Sequence, residues 1–242
     1  MILVTGGTGT LGRAVTARLP EARVLSRRPG PGRVTGDLAT GAGLDAALSE
    51  VDTVIHCATS LGGNDVTHAR HLAEAAARSG GPHIVFVSIV GVEDIPLSYY
   101  RTKLAVERLL TGSGLPVTVQ RATQFHDLVL RVFTLQRWSP ALFVLGGTRF
   151  QPVDVGDLAD RLVSLAAGPA AGRAEDFGGP AVRSMADLAR AYRGDGRRPI
   201  VPVRVPGKVI RGYRTGANLA PATGTITFED FLRSGPQPGR PG

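Results

Sequence analysis

The 242-residue chain reads as an α/β protein with a doubly wound parallel sheet and a small C-terminal lobe. Three observations predict this. Strand-like and helix-like patterns alternate five times before residue 88. The strands are continuous apolar runs, such as Ile2-Leu3-Val4 and Ile84-Val85-Phe86-Val87, as expected when helices cover both faces of a sheet. A glycine-rich turn joins the first of these strands directly to the first helix. Sheets of this kind bind ligands outside the carboxyl ends of their strands.

The turn is Gly6-Gly7-Thr8-Gly9-Thr10-Leu11-Gly12. Gly6 and Gly7 let the backbone bend sharply off the strand. Gly9 lets a pyrophosphate approach the main chain, and Gly12 lets the helix pack closely on the sheet. The unpaired amides of Thr10, Leu11 and Gly12 at the helix start then face the anion. Ala22 to Leu25 is the second strand, and Ser26-Arg27-Arg28 stands at its end. An NAD-preferring fold places a carboxylate there, about 20 residues past the glycines. Two guanidiniums instead suit a 2′-phosphate, so NADP(H) is the expected cofactor, with NAD(H) possible. The alternative is a solvated basic turn ahead of Pro29 to Gly32.

Val34 and Thr35 lead to Gly36-Asp37-Leu38, and a short helix covers Leu44 to Leu48. Val51 to Ala58 is the fourth strand and its exit. His56 reads as a packed side chain and Cys57 as a small buried one. Thr59, Ser60 and the loop Leu61-Gly62-Gly63-Asn64 would lie over the nicotinamide side. A helix follows from Asp65 to Arg78, then the apolar strand ending at Ser88.

Tyr99 and Lys103 are four residues apart on a helix running to about Leu110, so they share one face. A free phenol is a poor acid or base at neutral pH. A nearby ammonium favours the phenolate and can hydrogen-bond a ribose, while Ser88 would hold the substrate oxygen. Only two of the 28 basic residues are lysines, Lys103 and Lys208. Where nearly every cation is arginine, a lysine at 103 points to a need for a compact charge. Leu115 to Arg121 is the sixth strand. The apolar stripe of a helix over Leu128 to Trp138 reads as core. Further helices are expected at Gly156 to Ala167, Ser184 to Tyr192 and around Lys208.

The strings TGGTGTLG and Tyr99-Tyr100-Arg101-Thr102-Lys103 resemble the atypical and extended short-chain dehydrogenase/reductases, especially the NmrA-like NAD(P)-binding branch. The resemblance runs to about residue 233. It implies a Rossmann domain over 1–123 and 150–180, a substrate-side lobe over 124–149 and 181–233, and a disordered tail over 234–242. It places Asp37 and Leu38 near the adenine, and the backbone of Cys57 and Ala58 along the ribose. Ser88, Tyr99 and Lys103 take the catalytic positions, with Lys103 also holding cofactor. Gln124, Phe125 and His126, in a segment like the family's R-x-T-Q-F-H-D, line the pocket with Ser60, and His126 is a possible second proton donor. The implied activity is NADP(H)-dependent hydride transfer to or from a small carbonyl, alcohol or enone. A catalytically silent redox sensor is the alternative, because relatives often keep the lysine and vary the tyrosine.

Composition narrows the partners. A single cysteine excludes an internal disulfide. The net charge of +8 is spread along the chain, which favours an anionic small molecule over nucleic acid. No run is long enough to span a membrane. The expectation is a cytoplasmic monomer or homodimer with a small-molecule substrate, no nucleic acid and no membrane.

Overall fold

A computed structural model describes residues 1–60 and 63–235. In chain order the elements are β1 (Ile2–Thr5), α1 (Thr10–Arg18), β2 (Arg23–Ser26), β3 (Arg33–Thr35), α2 (Leu44–Leu48), β4 (Thr53–His56), α3 (Asp65–Arg78) and β5 (His83–Ile89). These are followed by α4 (Ser98–Thr111), β6 (Val117–Ala122), α5 (His126–Thr134), β7 (Leu142–Leu145), β8 (Arg149–Phe150) and α6 (Val155–Ala167). The last are β9 (Gly172–Arg173), β10 (Arg183–Ser184), α7 (Met185–Arg193), β11 (Ile200–Val203), α8 (Lys208–Thr215) and α9 (Phe228–Ser234).

The main sheet has seven strands in the order β3-β2-β1-β4-β5-β6-β9. β1 pairs in parallel with β2 (Leu3 beside Arg23) and with β4 (Leu3 beside Val54). The strand order therefore reverses between β1 and β4. In such sheets the crevice for a ligand opens where the order reverses. The turn after β1 and the exit of β4 flank that point. Leu3, Val4, Val54, Ile55, Ile84 and Val85 are each 0% exposed, the double-sided burial that their unbroken apolar runs require. Leu44, Leu48, Leu72, Val106 and Leu110 from α2, α3 and α4 complete this core.

The chain divides into two compact units. The first comprises Met1–Ser88, Ser98–Arg121 and Leu158–Glu175; the second comprises Ile89–Leu97, Ala122–Asp157 and the residues from Asp176 onward. Residues 89–97, 122–123, 150–157 and 176–180, which the sequence assigns to the nucleotide-binding half, thus belong to the second unit. That unit carries two small sheets, β7 with β11 in parallel and β8 with β10 antiparallel. Its helices α7 and α9 begin with reciprocal capping boxes, Ser184 with Asp187 and Thr227 with Asp230.

Two expectations are corrected here. The helix expected over Leu128 to Trp138 is α5, which starts at His126 and ends at Thr134. Its buried face is His126, Val129 and Phe133, so Leu128, Leu135 and Trp138 turn outward, Trp138 being 86% exposed. Ser234, expected in a disordered tail, is the last residue of α9, an element the sequence reading omits. Residues 236–242 of that tail, and Leu61 and Gly62 of the loop after β4, lie outside the described residues. No described helix is long and apolar enough to cross a membrane.

Candidate active site

The glycine turn is shaped by crowding. A Cβ on Gly12 would lie 2.1 Å from the Gly6 carbonyl oxygen, so only hydrogen fits between turn and helix. Gly6 has a φ of +68°, and its missing Cβ would sit 2.6 Å from the amide nitrogen of Ala58. The exit of β4 is therefore pressed against the turn after β1. Gly9, the residue ahead of α1, offers no side chain to cap the helix. The first amides of α1 are left for an outside acceptor, which fits the phosphates of a dinucleotide. Arg13 adds a cation the sequence reading overlooked: its guanidinium folds back to donate to the Thr8 carbonyl. Its only signal was its place one residue past Gly12.

Ser26 closes β2, and its hydroxyl accepts from the Arg28 amide at 3.2 Å. Arg27 and Arg28 follow, both exposed, and among the described residues neither guanidinium is tied to a carboxylate. A cation pair at this position suits a 2′-phosphate. Asp37 accepts from the Ala39 amide at 2.9 Å, closing a local turn, and the Leu38 carbonyl bonds the His71 ring at 2.8 Å.

Behind the crevice, Thr5 ties the two strand ends together. Its hydroxyl accepts from the Ala58 amide at 3.3 Å and shares a hydrogen bond with Nδ1 of His56 at 2.7 Å. His56 also stacks on Phe86 with centroids 5.6 Å apart. Burial, helped by the charge of Lys103, holds its imidazole down at about 3, so it is a neutral core group. Burial pushes the Cys57 thiol up to about 12, with Lys103 opposing. That thiol is no nucleophile at neutral pH.

Tyr99 and Lys103 project from α4 onto this region. Lys103 is 5% exposed, and its ammonium donates to the Val87 carbonyl at 3.3 Å. It lies 4.9 Å from the centroid of the Phe86 ring and 5.8 Å from that of Tyr99. Burial pulls its pKa down, while Asp65, Cys57 and Glu107 push it back up. Ser88, at the end of β5, is 3% exposed, and its hydroxyl has no hydrogen-bond partner among the described residues. The neighbouring phenol of Tyr100 is 5% exposed and belongs to the core, whereas Tyr99 is half-buried at the site.

The phenol of Tyr99 lies 3.0 Å from the hydroxyl of Thr59. Burial raises its pKa, a hydrogen bond donated by Thr59 would lower it, and the Asp65 charge raises it further. The expectation that Lys103 lowers this pKa is not met, because the ammonium points to the Val87 carbonyl instead. Asp65 is the second residue the sequence reading overlooked. It is 3% exposed and accepts from the Thr59 hydroxyl at 2.7 Å, the Ser60 amide at 2.6 Å and the Ser60 hydroxyl at 2.7 Å. An acidic residue at a helix start is so ordinary that nothing in the sequence marked it.

Gln124, Phe125 and His126 lie in the second unit. Gln124 is 7% exposed and accepts from Asn218 at 3.3 Å. Phe125 precedes α5 and is half-buried. His126 is 0% exposed, its Nε2–H donates to the Ile226 carbonyl at 3.0 Å, and Phe228 and Phe231 enclose its ring. It is a core side chain, which corrects its assignment as a pocket-lining proton donor. No group of three metal-ligating side chains occurs among the described residues.

The chain is similar to known proteins in sequence and in fold. Residues 6–128 match a family model described as NAD(P)H-binding. The chain is 33% identical over 221 residues to the (4-alkanoyl-5-oxo-2,5-dihydrofuran-3-yl)methyl phosphate reductase of Streptomyces griseus, covering 81% of this chain and 74% of that protein. It is 28% identical over 236 residues to the NAD(P)H azoreductase of Xenophilus azovorans, covering 90% and 82%. In fold it is similar to an NADPH-dependent quinone oxidoreductase of Escherichia coli complexed with NADPH, with a TM-score of 0.85 at 18% identity over 97% of this chain and 99% of that one. The chain belongs to the NAD(P)H-binding family and, with reductases among its relatives, is an oxidoreductase.

Proposed function

We propose that the protein is an NADPH-dependent reductase of small conjugated acceptors, such as enones, quinones or related carbonyl compounds. The observation that carries this reading is the placement of Tyr99 over the buried ammonium of Lys103, one helical turn away, at the crevice between β1 and β4. The named relatives that reduce a furanone phosphate and an azo compound, and the quinone oxidoreductase that shares the fold, support a conjugated acceptor. The fold neighbours crystallised with NADPH or NADP(H), together with the unpaired Arg27 and Arg28, support NADP(H).

Bound NADPH would supply a hydride from its nicotinamide ring. The turn from Gly6 to Gly12 would hold the diphosphate, and Arg27 and Arg28 the 2′-phosphate. Lys103 would hold the nicotinamide ribose. Ser88, whose buried hydroxyl is free to donate, would orient the acceptor oxygen. Tyr99 would give that oxygen a proton from its phenol, and solvent would reprotonate the phenolate.

The test is NADPH oxidation against a panel of enones, quinones and azo compounds. Tyr99→Phe is expected to bind NADPH as the wild type does and to lose at least about a hundredfold in kcat, the typical share of a general acid. Full turnover by this variant overturns the role of Tyr99. NADPH binding with no turnover on any acceptor would favour the silent sensor.

A further inference from the structure

Tyr99, Thr59 and Asp65 form a continuous hydrogen-bonded line within the first unit. A threonine hydroxyl has one hydrogen and two lone pairs. In this line the Thr59 hydrogen goes to the Asp65 carboxylate at 2.7 Å, which leaves only lone pairs for the phenol at 3.0 Å. Tyr99 must therefore be the donor of that bond, and it can be so only while it keeps its proton. The carboxylate is held in place on its other oxygen by the amide and hydroxyl of Ser60. Among the described residues Lys103 makes no hydrogen bond to the phenol; its ammonium lies on the Val87 carbonyl.

We propose that Asp65 is a positioning residue that acts through Thr59 to keep Tyr99 a protonated acid, and so biases the site toward reduction. The inference rests on the reading of Tyr99 as proton donor. In the step, the acceptor gains a hydride and its electron pair from the reduced pyridine nucleotide, which is oxidised. The O–H bond of Tyr99 breaks, and its proton moves to the acceptor oxygen. The phenolate regains a proton from solvent. Asp65 gains and loses nothing; its charge and its grip on Thr59 set which protonation state of the phenol is favoured. In the opposite direction an alcohol would need the phenolate as base, and that anion would face the Thr59 lone pairs with a carboxylate directly behind them.

Among the other charged and titratable groups around the phenol, Tyr100 also raises its pKa, as the smallest of the causes. From the β4 side come His56 and Cys57, both neutral through burial. From α3 come Asp65 and, one turn on, His68. From α4 come Tyr100 and Lys103, and beyond them Glu107, whose carboxylate is bound by Arg121. Asp65 is the group that reaches the phenol through a hydrogen bond.

The test is a pH titration of the cofactor-free protein carrying 13Cζ-labelled tyrosine, with the Tyr99 signal assigned by its loss in Tyr99→Phe. In the wild type Tyr99 is expected to ionise above the ordinary 10.0. In Asp65→Asn, which removes the charge and keeps one acceptor oxygen while placing an NH2 donor where the other oxygen stood, the midpoint is expected to fall by about one pH unit or more. Thr59→Val, which leaves Asp65 and its Ser60 bonds in place, is expected to lower it as well. The alkaline limb of the reductive kcat profile should move down with the midpoint, and Asp65→Glu should restore both in part. An unmoved Tyr99 midpoint in both Asp65→Asn and Thr59→Val overturns the inference, as does a uniform drop in kcat with an unmoved pH profile. Because the titration needs no cofactor or substrate, it stands apart from any failure of the reductase reading, which the turnover of Tyr99→Phe would reveal.

Discussion

Glu107 lies one helical turn beyond Lys103, but its carboxylate is bound by Arg121, whose Nη2 and Nε donate at 2.6 and 2.9 Å. The two side chains are 5% and 8% exposed for Arg121 and Glu107. The pair links α4 to β6 and keeps the Lys103 ammonium, four residues away, from being captured by its nearest carboxylate on the helix. Breaking one side of such a buried pair leaves the other charge in low dielectric. Glu107→Ala is expected to lower stability by about 3–5 kcal/mol in urea unfolding. A loss under about 1 kcal/mol, the range of an exposed pair, would show that the pair is hydrated in solution.

Gly6 is held by two constraints, a left-handed φ and the Ala58 backbone. Gly32 has nearly the same φ, +66°, but nothing within 4 Å of where a Cβ would sit. Gly32→Ala should therefore cost only the left-handed strain, about 1–2 kcal/mol. Gly6→Ala should cost more in thermal unfolding and also weaken NADPH at least tenfold in calorimetry, because the turn must move off β4. Equal effects of the two substitutions would dissociate the glycine turn from the ligand.

The buried imidazole of His56 makes the protein acid-sensitive in a defined window. Its pKa is about 3 in the folded state against 6.5 for the free group. Below pH 6.5 the unfolded chain takes up the proton and the folded chain does not, so stability falls as pH drops through this interval. At about pH 4.5 the loss from this group amounts to roughly 2–3 kcal/mol, at about 1.4 kcal/mol per unit. His56→Gln should flatten that part of the urea stability curve between pH 6.5 and 4.5. An unchanged slope would place the acid sensitivity elsewhere.

Arg27 and Arg28 are exposed, with guanidiniums unclaimed by any carboxylate among the described residues. Replacing both with Ser should weaken NADPH by about tenfold or more and leave NADH almost unchanged, since only the former carries the 2′-phosphate. The preference should also shrink as salt is raised. Parallel losses for both nucleotides would mean that these cations act on the fold or the diphosphate instead.

Much of the framework is local in origin and therefore readable along the chain. The runs Ile2-Leu3-Val4 and Ile84-Val85-Phe86-Val87 are apolar throughout because they are covered on both faces, and the glycines from 6 to 12 mark a turn that side chains would block. The Tyr99–Lys103 spacing is likewise a property of one helix. Periodicity failed in α5, where a helix start two residues earlier than expected rotated the buried face to His126, Val129 and Phe133. His126 then entered an aromatic core built with Phe228 and Phe231, just over a hundred residues away, which no local pattern announces.

What the amino-acid order determined by itself was the layered sheet, the nucleotide turn and the shared face of a phenol and an ammonium, because each depends on neighbours within a few positions. Folding decided the environment of those groups. It sent the Lys103 ammonium to the Val87 carbonyl and buried Tyr99 near the Asp65 charge, which raises the phenol's pKa. Hydrogen bonds between segments 40 residues apart have no sequence period, and a pKa follows what surrounds a group in space.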